Sequence, residues 1–175
     1  MERVLDVYKR PYNADFPVVC MDESPKQLIE EGRGKRFVEV TAFKTKKDWA
    51  LFVKKMADDW YPKAKKITLV MDNFKTHVAS AFYEIFEPEE AKRLWDRFEF
   101  IYTPKHGSWL NMAEIELQVL NGQCLNRHIS TMDKIKEEVE AWQSYRNNKN
   151  SKINWQFTNK EARVKLKRLY PSLHD

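Results

Sequence analysis

Three apolar runs of strand length constrain this chain most. In PVVCMDE (17–23) the run Val18, Val19, Cys20, Met21 stops at Asp22. In ITLVMDN (67–73) the run from Ile67 to Met71 stops at Asp72. FEFIYTP (98–104) is closed by Pro104. Near-continuous apolarity over so short a length belongs to strands buried on both faces, and these need helices on both sides of their sheet. A looser run, RFVEVTAF (36–43), reads as a further strand.

Helical patterns lie between and after the runs. Asp48 reads as an early-turn or capping residue, and Trp49, Phe52, Val53, Met56 and Trp60 fall on one face of the helix it begins. Residues 77–86 and 88–97 read as two short helices, the second with Pro88 at its first position. A helix is expected from about Met112 to Arg127. Ser130 with Asp133 fits a capping box for 131–146, and Thr158 with Glu161 fits one for 159–169. Residues 27–36 read as a turn punctuated by Gly32 and Gly34. Residues 1–17 read as a lead-in of one helical turn and extended chain, and 18–175 as one domain. Strands alternating with helices give an α/β class, a sheet with helices packed on its faces.

The chain has 175 residues, 42% of them hydrophobic, with six Trp, ten Phe and seven Tyr, enough for one sizeable core. A net charge of +5 favours polyanions such as nucleic acid, although scattered pairs such as Lys46-Lys47 and Lys65-Lys66 also suit a solvated surface. Cys20 and Cys124, outside any CxxC or zinc spacing, read as buried reduced thiols of a cytosolic protein. No apolar run approaches membrane-spanning length, and the N-terminus lacks a signal-peptide pattern.

The acids that end two strands are the candidate chemistry. Strand C-termini line the crevice where α/β folds place their sites. If these strands are neighbours, Asp22 and Asp72 converge, and a divalent cation relieves their repulsion. Hard oxygen ligands favour Mg²⁺ or Mn²⁺ over zinc. An Asp after a strand also serves as a turn cap, so both readings stand. Glu114, in the first turn of the helix after PKHGSWLN (104–111), is a third candidate, with a dipole role as its alternative. Glu116 lies roughly 200° further round that helix, so only one of the two glutamates can face one site.

VVCMDESPKQLIEE, ITLVMDNFKTH, YTPKHGSWLNMAEIE and RNNKNSKINWQFTNKEARVKLKRLYP together resemble a bacterial DDE transposase of the IS630 family, in the Tc1/mariner superfamily. The resemblance covers nearly the whole chain. It implies an RNase H-like fold with a catalytic triad at Asp22, Asp72 and Glu114, two bound Mg²⁺ (or Mn²⁺) ions, and cleavage and strand transfer of DNA. Asn73, His77, His106 and Asn111 belong to the same motifs; they either orient a ligand or phosphate, or hold local backbone. Arg146, Lys149 and Lys152 either meet the DNA backbone or form an exposed charged turn. Trp109 and Leu110 are expected to anchor the loop in the core, Trp109 as a core residue rather than a DNA-stacking one.

The implied partners are DNA (transposon ends and target) and a second copy of the chain in a homodimer, with no membrane and no small-molecule cofactor. The implied location is the bacterial cytoplasm, at the nucleoid when bound to DNA. Two departures from the family pattern stand out. Only 21 residues precede Asp22, too few for an N-terminal helix-turn-helix module. The stretch between residues 27 and 37 is short, so a shortened or missing strand is expected there. That shortening supports an alternative, a decayed or domesticated domain that binds DNA or protein without catalysis.

Overall fold

The computed structural model describes residues 1–23, 27–31, 36–41, 45–72, 78–105, 107–149, 153 and 155–167, with the side chains of residues 23 and 27–31 left aside. Its centre is a five-stranded sheet. The strands are β1 (Val18–Glu23), β2 (Gln27–Glu31), β3 (Arg36–Glu39), β4 (Ile67–Met71) and β5 (Phe98–Tyr102), in the order β3-β2-β1-β4-β5. β1, β4 and β5 run parallel, while β2 and β3 are antiparallel to their neighbours. The three apolar runs are therefore the three parallel strands, and all five residues of β4 are buried.

Strand alternation divides the core in two. Val19, Met21, Ile67, Leu69, Met71 and Phe98 face one side. There they meet α2 (Lys46–Lys55), whose Trp49, Phe52 and Val53 are buried, and the short helices α3 (Ser80–Tyr83) and α4 (Pro88–Arg97). α2 begins in a capping box in which Thr45 and Asp48 each satisfy the other's backbone N–H, and it ends in a wider π-turn, Met56–Trp60. Trp60 stacks on Phe37 with centroids 4.3 Å apart, which fastens β3 to this side.

Cys20, Val70 and Ile101 face the other side. They pack with Val4, Leu5 and Val7 of α1 (Glu2–Tyr8) and with Leu110, Met112 and Ala113 at the start of α5 (Met112–Leu120). The lead-in thus supplies fully buried core residues. α5 passes into a π-turn, Asn121–Leu125, and then α6 (Met132–Asn148) follows and packs on β3. α7 (Asn159–Lys165) opens with the expected Thr158–Glu161 capping box. Cys20 and Cys124 are buried and unbridged.

The structure corrects three local expectations. Residues 27–31, read as part of a turn, form the strand beside β1. Where a shortened or missing strand was expected between 27 and 37, β2 is present with five residues and β3 follows with four. The α6 cap is Thr131, whose hydroxyl accepts from the Lys134 N–H, and not Ser130. The helix read as Met112 to Arg127 is α-helical only to Leu120. A mixed sheet covered by helices on both faces, with this strand order, is an RNase H-like fold.

Candidate active site

Asp22 is the penultimate residue of β1, and Asp72 directly follows β4. The two strands are parallel neighbours in the register Val18↔Thr68, Val19↔Leu69, Cys20↔Val70. The pairing ends at Cys20 and Val70, and Asp22 and Asp72 each follow two residues later. By alternation Asp22 lies on the face of Cys20, the face that carries α5, while Asp72 follows the end of β4.

The loop from Pro104 delivers α5 to this point. The Gly107 N–H donates to the Pro104 carbonyl at 2.8 Å. A Cβ on Gly107 would stand 2.6 Å from Pro104 Cγ, so glycine is required by close approach. A 3-10 turn, Ser108–Leu110, then leads to Asn111, which is 1% exposed. Asn111 Oδ1 accepts from the Ala113 N–H at 3.2 Å and caps α5. Its Nδ2 donates to the Met21 carbonyl at 2.7 Å. From the opposite side the Tyr8 hydroxyl donates to the Leu110 carbonyl at 2.7 Å and accepts from the Met112 N–H at 3.4 Å. Asn111, one of the expected supporting residues, thus ties the helix start to the strand that bears Asp22.

Leu110 is fully buried as expected, but Trp109 is not. Its side chain is 42% exposed and meets Phe157 edge-on at 5.5 Å. A 3-10 turn spreads three successive side chains around its axis, and the inward place falls to Leu110. All six tryptophans lie among the described residues, and Trp109 is the exposed one.

Glu114 is the third residue of α5. Its Oε2 is buried and has no hydrogen-bond partner among the described residues. A buried carboxylate oxygen without a donor is costly unless something outside the chain satisfies it. Among the described residues, however, no group of three or more His, Cys, Asp or Glu side chains closes around one point as a metal site would. A carboxylate donor set with an unsatisfied buried oxygen on Glu114 suits a hard divalent ion, but among the described residues the three carboxylates do not form a metal-holding group.

Glu116 points elsewhere, as the helical spacing requires. It is 2% exposed and is gripped by Arg36, from Nε at 2.6 Å and Nη2 at 2.8 Å, and by Arg146 Nη2 at 2.6 Å. Burial pushes the Glu116 carboxyl up, and hydrogen bonds from the two arginines outweigh this and hold it below the usual range. Arg146, read as a candidate DNA contact, therefore serves a buried carboxylate. Lys149 is exposed at the end of α6, with Nζ 4.5 Å from the Tyr145 ring centre. Asn73, His77, His106 and Lys152 lie outside the described residues.

Sequence reading missed Tyr8 and Arg36. Tyr8 carries no motif that would reveal it. Arg36 had a signal: a charged residue opens the run RFVEV, and one glutamate sits inside the apolar helix MAEIELQVL, so each needs an opposite charge when buried.

Residues 27–136 match the family model described as DDE superfamily endonuclease, a span that includes Asp72 and Glu114 and begins after Asp22. No curated protein matches the chain.

Proposed function

The chain belongs to the DDE superfamily endonucleases, and from that premise we propose that it is the catalytic domain of a DNA transposase of the IS630 type, with Asp22, Asp72 and Glu114 as its triad. The observation that supports this reading is the parallel pairing of β1 and β4, each followed two residues past its last pair by an aspartate, beneath a helix whose third residue is Glu114.

In this reading the three carboxylates hold two Mg²⁺ or Mn²⁺ ions. When bound, such a pair supplies an activated attacking oxygen and a stabilised leaving oxygen for in-line phosphoryl transfer. The residues of the chain do the rest. Asp22 and Asp72 present carboxylates from the ends of two paired parallel strands. Asn111 holds the start of α5 against β1, so Glu114 is presented from a capped, rigid first turn. Exposed Lys149 offers a cation to the phosphate backbone, which needs charge and carries no sequence information. Exposed Trp109, in the loop that delivers Glu114, offers a ring to an unstacked base. Paired transposon ends call for a homodimer, acting on DNA in the bacterial cytoplasm.

A second reading, an RNase H-like domain that binds DNA or protein without catalysis, draws on one observation: no three acid, His or Cys side chains close around one point among the described residues. Strand-transfer and nicking assays on DNA with Mg²⁺ or Mn²⁺ separate the two. The catalytic reading expects activity in the wild type and none in Asp22→Asn or Asp72→Asn, with melting temperatures in metal-free buffer unchanged. Equal activity in the wild type and both variants would remove the triad from the account.

A further inference from the structure

The buried ion cluster at Glu116 joins three elements. Arg36 opens β3, Glu116 lies midway along α5 and Arg146 is near the end of α6. Arg36 is fully buried and offers two guanidinium nitrogens to the two oxygens of Glu116, while Arg146 adds a third hydrogen bond to Oε1. A forked pair of this kind fixes orientation as well as distance.

The arginines are themselves held. The Arg36 N–H donates to Asn147 Oδ1 at 2.8 Å, and the Arg36 carbonyl accepts from Asn147 Nδ2 at 2.9 Å. The Val38 N–H donates to the Gln143 side-chain oxygen. α6 thus closes the outer edge of the sheet with amide side chains, and Arg36 projects from a strand that cannot shift alone. On the other sheet face Trp60 stacks on Phe37.

Glu114 and Glu116 lie two residues apart, roughly 200° around the helix. Any rotation of α5 that carried Glu114 away from the strand ends would have to move Glu116 out of its two arginines. The helix is therefore gripped on both sides of Glu114: at Asn111 by the Met21 carbonyl, and at Glu116 by Arg36 and Arg146. We propose that Arg36, Glu116 and Arg146 are positioning residues for Glu114, setting the rotation of α5 so that this carboxylate faces Asp22 and Asp72. The inference rests on the triad reading above.

The cluster has a second property that suits this role. A buried ion pair contributes little net stability against an apolar substitute, but it is costly to break and specific in geometry. An apolar contact at position 116 would let the helix rotate by degrees, whereas three charge-assisted hydrogen bonds would not.

The test titrates Mn²⁺ against the melting temperature, a readout of metal affinity that needs no catalysis. Arg36→Lys keeps the charge and loses the fork. Arg146→Lys is a milder variant at the more exposed partner, should the first fold poorly. Thr45→Ala is the control, since it removes the cap of α2 on the other face of the sheet and touches neither Glu116 nor its arginines. Arg36→Lys and Arg146→Lys are expected to raise the half-saturating Mn²⁺ concentration by about tenfold, the usual scale for residues that orient a ligand. Thr45→Ala is expected to lower the metal-free melting temperature and leave half-saturation unchanged. If the wild-type shift is lost in Asp72→Asn yet indifferent to both lysine variants, the positioning role is overturned alone. If the wild type shows no Mn²⁺ shift, the triad reading falls, and the positioning role with it.

Discussion

Asn111 Nδ2 donates to the Met21 carbonyl across 90 residues of chain, at 2.7 Å and wholly buried. One side chain thereby joins the strand that carries Asp22 to the helix that carries Glu114. The same side chain caps that helix through the Ala113 N–H. Its two roles, acceptor and donor, can be separated by substitution.

Asn111→Ala removes the cap, at about 1 kcal/mol, and leaves the Met21 carbonyl unmet, at about 1–3 kcal/mol more. The melting temperature should fall by several degrees. Asn111→Asp keeps an acceptor for the cap but turns a carboxylate toward a carbonyl. Chemical denaturation should place it at least as low as the alanine variant. A neutral aspartate variant would mean that the bond to Met21 adds nothing.

Gly107→Ala should disrupt the loop. Its methyl would meet the Pro104 ring at 2.6 Å, and a proline ring cannot swing aside. The expected signs are a lower melting temperature and faster proteolysis between Pro104 and Leu110. Unchanged proteolysis would show that the turn relaxes without cost.

Tyr8→Phe keeps the edge-on contact with Trp155, whose ring centre is 5.1 Å away, and deletes the hydroxyl that bridges Leu110 and Met112. A loss of about 1 kcal/mol is expected from the hydrogen bond to Leu110. Hydrogen exchange should rise at the start of α5 and not in β4. Uniform exchange across the chain would contradict a local role.

Acid should weaken the fold through two glutamates. Hydrogen bonds from Arg93 and Lys54 hold Glu90 down to about 2, against an ordinary 4.5. Glu116 is also held below its ordinary range. Carboxyls depressed in the folded state stabilise it above their unfolded values and lose that contribution as pH falls through the folded ones. Stability should therefore decline from about pH 4.5 toward about 2. Glu90→Gln should flatten part of that decline; an unaltered profile would exclude Glu90 from it.

The parallel half of the sheet was legible because the central strands β1 and β4 are apolar on both faces, and the edge strand β5 breaks its apolar run only at Glu99. The antiparallel half was not. QLIEE carries three polar residues of five and precedes two glycines, so its local signal is that of a turn, and pairing with β1 makes it a strand. The α6 cap slipped by one residue because Ser130 and Thr131 offer the same hydroxyl, and only the backbone decides which stands at the helix boundary. Asp22, Asp72 and Glu114 were visible as acids at element ends. The fate of Arg146 was not, because a cation near a turn looks the same whether it meets solvent or a buried glutamate on another helix.

The central claim is that Asp22, Asp72 and Glu114 hold metal. Crystals soaked in Mn²⁺ test it most directly through anomalous scattering. The account predicts manganese bound by all three carboxylates, with Glu114 Oε2 among the ligands. Strong anomalous peaks elsewhere, and none touching these three residues, would contradict it.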